Sequence, residues 1–230
     1  MPSIYVTGDT HGQIDWGKLN MDNFPQQKNM TKEDIVIIAG DFGGVWDGAG
    51  QDRYTQRTYD DRNFTTAFVD GNHENHWLLN SFPVEEWHGG KVHRISDSII
   101  HLMRGEIYDM YGKKVFVFGG ADSIDKLSRR FGQSWWPEEI PSNAEMYYGE
   151  ENLNRVGNRV DFVITHECPT KIYRKIYAAH KVVMPYVLTE YLQVLDEQIE
   201  YEKWYFGHHH IDKVIDEKHV ALYQKVIKIV

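Results

Sequence analysis

The sequence has one cysteine, Cys168, so no disulfide can close within the chain and a small disulfide-stapled scaffold is excluded. Positive charge is short: 25 Lys plus Arg stand against 34 Asp plus Glu, a formal net charge of -9. That balance argues against a broad nucleic-acid or anionic-membrane footprint and leaves small phosphorylated ligands open. No apolar run approaches the roughly 20 residues of a membrane-spanning helix, and no internal repeat or low-complexity tract is present. The N-terminal "MPSIYVTGD" lacks a basic region followed by an apolar signal core. The expectation is a cytoplasmic protein that engages neither a membrane nor an extended nucleic acid; nothing in the composition sets an oligomeric state.

What is present is enough apolar material for one sizeable core: 230 residues, 41% of them hydrophobic, expected to form a single domain over 1–230. Short β-branched runs ending in Gly plus a polar residue recur, at 3–9 ("SIYVTGD"), 34–41 ("DIVIIAGD"), 65–73 ("TTAFVDGNH") and 161–167 ("DFVITHE"). They read as buried strands. Helices are expected over about 52–63, 74–79 and 186–200. "KVHRI", "SIIHLM", 113–120 and the closing stretch read as antiparallel strands or hairpins. The pattern predicts an α/β chain with a mixed two-sheet core and helices outside. Aromatics and prolines interrupt it before an expected helix at 143–156, which marks 121–157 as an insertion or lid.

The strand ends carry residue types that bind metals: Asp9 and His11 in "GDTHG", Asp41 in "GD", Asn72 and His73 in "GNHE", His166 in "THE", and His208 and His210 in "WYFGHHHIDKVID". Ligands at the carboxyl ends of several strands converge, because a sheet presents its sites there. The histidine triplet is internal, with strand-like sequence beyond it, so it is not a purification tag. An extended backbone would send His208 and His210 to one face and His209 to the other. Each pair alone is weak, since a lone Gly-Asp is more often a turn.

Together, in this order, the elements DxH, GD, GNH[D/E], H and GHxH resemble the calcineurin-like metallophosphoesterase family, from Asp9 to His210. The resemblance implies a four-layer α/β/β/α sandwich with two mixed sheets and a dinuclear metal site at the strand ends. It implies that Asp9, His11 and His210 hold one divalent ion, that Asn72, His166 and His208 hold the second, and that Asp41 bridges them. His209 is then a spacer facing away. Such a site stays cationic with both aspartates and a bridging hydroxide counted, and attracts phosphate. Paired metals about 3.5–4 Å apart can activate a bridging hydroxide for attack on phosphorus. Mixed N and O donors suit Mn, the first choice, or Fe, Zn or Ni, better than Mg or Ca. The resemblance gives His73 a general-acid role on the leaving oxygen, and Glu74 could orient the His73 ring or simply open the next helix.

The chain departs from the protein Ser/Thr phosphatase branch. That branch places VDRG after the second Asp, where this sequence reads "GDFGGVWDG", and Arg before the GNH element, where Asp70 stands. The GHxH ending fits a bacterial and phage branch better. The missing arginines tilt the expected substrate, a phosphorylated small molecule or nucleotide, toward a phosphodiester or nucleotide. A protein phosphatase-like monoesterase is the alternative, and a non-catalytic metal-binding scaffold or a nucleic-acid module ranks lower. "WHGG" mimics a phosphatase signature but follows His73 too closely, so His88 reads as structural or exposed. Arg129 and Arg130 could contact phosphate, and Trp135 and Trp136 could stack a base, against the blander reading of solvated and core side chains. Lys171, Arg174, Lys175 and Lys181, interleaved with Tyr173 and Tyr177, could border a groove, although a solvated surface is the simpler reading. Cys168 reads as a small buried side chain.

Overall fold

The runs IYVT, IVII, TTAF and FVIT are buried along their whole length, as expected of parallel strands covered on both faces. The computed structural model describes residues 2–178 and 185–230. In chain order it contains β1 (Ile4–Thr7), β2 (Ile35–Ile38), α1 (Gly50–Asp60), β3 (Thr65–Phe68), α2 (His76–Leu79), β4 (Val84–Trp87), β5 (Gly90–Ser96), β6 (Ile99–Leu102), β7 (Ile107–Met110) and β8 (Lys113–Phe118). There follow α3 (Asn143–Arg155), β9 (Phe162–Thr165), α4 (Thr170–Ile176), α5 (Val187–Gln198), β10 (Lys203–Phe206), β11 (Lys213–Val214), β12 (His219–Ala221) and β13 (Ile227–Lys228). The first sheet has the order β13-β1-β2-β3-β6-β5-β4 and the second β11-β12-β10-β9-β8-β7. Each is mixed: β1, β2, β3 and β6 run parallel, as do β8, β9, β10 and β12, with antiparallel strands at the edges.

The two-residue period of each strand sorts the layers. Ile4, Val6, Ile35 and Ile37 of the first sheet meet Val115, Val117, Ile164 and Tyr205 of the second in the central core. Tyr5, Val36, Ile38 and Phe68 point the other way and are covered by Tyr59 of α1 and by Leu19, Phe24 and Phe42. On the far side Phe116, Phe118, Val163, Trp204 and Phe206 pack under Met146 and Leu153 of α3, Ile172 of α4 and Leu188, Leu192 and Leu195 of α5. This is the α/β/β/α sandwich. Among the described residues no helix is long and apolar enough to cross a membrane.

Two expectations change, and one helix was not expected. The stretch 113–120 forms the expected antiparallel hairpin with β7 but runs parallel to β9 on its other side, and in the closing stretch β11 and β12 pair antiparallel while β10 pairs in parallel with both neighbours, so the antiparallel expectation holds in part. Alternation and β-propensity are the same for either pairing, which is why the sequence did not separate them. The helix α4 follows Pro169 directly and is too short to show a period. Within 121–157, α3 is a layer of the sandwich, started by a reciprocal capping box between Ser142 and Glu145; only the loop before it extends toward the strand ends.

Candidate metal centre

The five candidate segments follow the C-terminal ends of β1, β2, β3, β9 and β10, all central parallel strands of the two sheets. Their donor atoms form three groups, each within 4.8 Å: Asp9, His11 and His210; Asp41, His166 and His208; and His11, Asp41 and His73. The motif glycines make the approach possible. A Cβ on Gly71 would stand 2.1 Å from Asp41 Oδ1, and one on Gly207 would stand 2.3 Å from Asp9 Oδ1.

Hydrogen bonds leave one atom of each group facing inward. Asp41 Oδ1 accepts the His73 backbone N–H at 2.7 Å, and Asp9 Oδ1 accepts that of His208 at 2.9 Å. Each aspartate thus keeps Oδ2 for the centre. His166 donates from Nδ1 to the Ala39 carbonyl (2.7 Å), and His11 donates from Nδ1 to Asp15 (2.7 Å). The Nε2 lone pairs of both neutral rings are thereby aimed at Asp41 Oδ2, 3.3 Å from His11 and 3.4 Å from His166. His166 Nε2 also lies 3.2 Å from Asn72 Oδ1. Asp9 Oδ2 is buried without a hydrogen bond, 3.1 Å from His210 Nε2. Lone pairs facing lone pairs in a buried site require a cation between them, either protons or metal ions. Protons show the same demand: burial, the largest influence, pushes His11 and His166 down, yet Asp41 and Asp9 more than offset it and raise them to about 9 and about 10. His208 goes the other way, to about 4, chiefly by burial. The donor set of carboxylate, imidazole and amide oxygen fits divalent transition metals.

The triplet is arranged differently from the extended chain expected of it. β10 ends at Phe206, and His208 and His210 sit at φ 63 and φ 50. His11 (φ 43) and Asp41 (φ 50) share this left-handed region, which costs a non-glycine residue about 1 kcal/mol or more and concentrates at functional sites. His208 and His210 still reach the two donor groups, and His209 still turns away, but through a looped backbone. His209 is no idle spacer. It is buried, donates from Nε2 to Glu167 Oε1 (2.9 Å) and accepts at Nδ1 from the Tyr177 hydroxyl (3.1 Å), with Cys168 Sγ 3.3 Å from Nε2. We expect His208→Ala and His210→Ala each to lose metal and rate. His209→Ala should keep its metals and instead lose about 1–3 kcal/mol of stability, the cost of an under-partnered buried carboxylate. Metal analysis alongside thermal unfolding checks this; equal metal loss in all three variants would contradict it.

Around the centre, several partners were not read from the sequence. Asn72 Nδ2 donates to Ser123 Oγ (3.1 Å), which donates to Glu139 (2.7 Å), so the Asn72 oxygen is held inward. Asp15 lies four residues past His11, a spacing that could have flagged it, and is itself held by the Tyr223 hydroxyl at 2.8 Å. Glu74 does not bond the His73 ring. Its carboxylate is buried and accepts the Gly71 N–H at 2.6 Å and the Gly43 N–H at 3.3 Å, tying the third motif to the loop after the second. Burial first, then Asp41 and Asp70, raise its pKa to about 8. The His73 ring is met by Arg129, whose Nη2 lies 2.8 Å from His73 Nε2. Asp70, where the phosphatase branch has Arg, is buried and paired with Arg104 (2.6 Å) and His101 (3.2 Å). Burial raises this carboxyl, but Arg104 and the two nearby histidines outweigh it and hold it well below the usual range.

The remaining candidates are not part of this cluster. Arg130 is exposed, Trp135 is half-buried against Phe131, and Trp136 is buried edge-on to Trp46 at 5.2 Å. Trp136 is therefore a core side chain and offers no face to a base. Lys171 and Lys175 pair with Glu197 and Asp216, both at 2.6 Å, and the rings of Tyr173 and Tyr177 pack on His209. Arg174 is exposed, and Lys181 lies outside the described residues. His88 sits in the turn between β4 and β5 against Trp87, and Cys168 is buried and free.

Among proteins of curated function none matches this chain. The model of the family described as calcineurin-like phosphoesterase matches residues 2–216, nearly the whole length, and the chain belongs to that family of metal-dependent hydrolases of phosphate esters.

Proposed function

We propose that the chain hydrolyses the phosphate ester of a small molecule or nucleotide at two divalent ions. Asp9, His11 and His210 would hold one, Asn72, His166 and His208 the other, and Asp41 both. One observation carries this reading: Asp41 Oδ2 stands between the Nε2 atoms of His11 and His166, whose other ring nitrogens are both committed as donors. Ions bound there would supply Lewis acidity toward a phosphoryl oxygen and lower the pKa of a bound water into a hydroxide able to attack phosphorus. Manganese is the first choice, with iron, zinc or nickel compatible with the same donors.

The protein's own groups do the rest. Asp15 and the Ala39 carbonyl fix the tautomers of His11 and His166. Ser123 and Glu139 fix the Asn72 amide, and Glu74 locks the Gly71 and Gly43 backbone. His73 lies at the edge of the cluster, where its imidazole can meet the leaving oxygen. The preference for a diester rested on missing arginines; Arg129, brought to His73 from a distant part of the chain, removes that ground.

The test is reconstitution of metal-free protein with manganese, iron, zinc or nickel, followed by assay on p-nitrophenyl phosphate, bis-p-nitrophenyl phosphate and cyclic nucleotides. We expect about two ions per chain and metal-dependent hydrolysis of at least one ester. Two ions with no hydrolysis of any ester would favour a metal-binding scaffold; no metal uptake would end the proposal.

A further inference from the structure

Residues 123–129 touch the centre at both ends. Ser123 meets Asn72, and Arg129 meets His73, while a short turn over Lys126–Ser128 joins them. Arg129 is mostly buried, its side chain 11% exposed, and its Nε bonds Asp125 Oδ1 at 2.8 Å. A guanidinium only donates, so His73 Nε2 must accept, and that ring nitrogen is occupied. Arg129 Nη1 is buried with no hydrogen-bond partner. The fork thus has a weak neutral acceptor on one arm and none on another. An oxyanion would satisfy both, since planar guanidinium forks match phosphate oxygens.

We propose that Arg129 is the phosphate-binding residue of this site, that it passes from His73 Nε2 to a terminal phosphate oxygen when substrate enters, and that it selects phosphomonoesters over diesters. The proposal rests on the phosphoesterase reading above and deepens it. A monoester carries one more terminal oxygen than a diester and, near neutral pH, up to one more negative charge. Both differences favour the ester that an added cationic fork can grip. The transfer also frees His73. While Nε2 accepts from Arg129 it carries no proton; engagement of phosphate releases it, after which it can take up a proton from solvent and pass that proton to the ester oxygen as it leaves. Asp125 is the positioning residue: with Nε held, the two Nη groups remain for the ligand.

The experiment uses the zinc-loaded full chain and its Arg129→Met and Arg129→Lys variants. Inorganic phosphate is titrated calorimetrically, and kcat/KM is measured on p-nitrophenyl phosphate and bis-p-nitrophenyl phosphate. Arg129→Met should weaken phosphate binding about tenfold or more, the scale of one charge-assisted hydrogen bond. Arg129→Lys should fall between, because a point charge keeps attraction and loses the fork. The monoester-to-diester ratio of kcat/KM should drop about tenfold in the Met variant. Unchanged phosphate affinity, or equal losses on the two esters, would overturn the proposal while leaving the phosphoesterase reading intact. Failure of the parent chain to bind any of zinc, manganese, iron and nickel, or to cleave these esters or a cyclic nucleotide with any of them, would remove both.

Discussion

Asp41→Asn should lose its turnover by on the order of 10²-fold or more and retain fewer than two metals, yet fold normally. The charge is what the centre needs: even partners one step removed from a metal cost about 10–100-fold, and Asp41 is proposed to touch both ions. The shape is preserved. With its amide oxygen still accepting the His73 N–H, the new amide N–H group would point at the Nε2 atoms of His11 and His166, which now face a carboxylate oxygen. In the metal-free parent the raised pKa values of His11 and His166 put protons on both rings at neutral pH, so the substitution trades two charge-assisted hydrogen bonds for neutral ones, and the metal-free variant should still fold, at a somewhat lower unfolding temperature than the metal-free parent. Metal analysis, thermal unfolding with chelator and kinetics decide it together. Two tightly bound ions with near-normal turnover would remove Asp41 from its bridging position, and loss of fold would mean that its role is structural.

How far the sequence disclosed this site follows from what each residue contacts. The convergence of Asp9, His11, Asp41, Asn72, His166, His208 and His210 was legible because strand ends and glycines fix where a short-range side chain goes, and the spacing along the chain follows the strands. The layers were legible for the same reason, through the two-residue alternation of Ile4–Thr7 and Ile35–Ile38. Side chains that act through long-range contacts left no local pattern. Arg129 reaches His73 across 56 positions, and Ser123 reaches Asn72 across 51. Glu74 misled for a different reason: its neighbour in sequence is His73, but in a tight turn the carboxylate finds the nearer Gly71 and Gly43 N–H groups. The triplet parts as expected, with His208 and His210 toward the two donor groups and His209 away, but through a different geometry, since a left-handed loop and an extended strand both separate His209 from its neighbours.

His73→Ala is expected to keep both metals and lose chemistry. Its backbone N–H still serves Asp41 Oδ1 in the variant, so the aspartate keeps its orientation. Burial and Arg129 hold the ring below its ordinary pKa, while Asp41 pulls the other way, so the imidazole rests neutral with Nε2 facing Arg129. If Nε2 takes up a proton once that contact is released and passes it to the leaving oxygen, loss of the ring should cost on the order of 10²–10⁴-fold with a poor leaving group such as an alkoxide. Activated aryl esters leave with little protonation and should suffer less. A plot of log rate against leaving-group pKa should therefore be steeper for the variant than for the parent. Parallel plots would assign His73 to phosphate positioning instead. Because its ring nitrogen lies within 4.8 Å of donor atoms of His11 and Asp41, loss of one metal ion would make it a ligand and redraw the division of the centre.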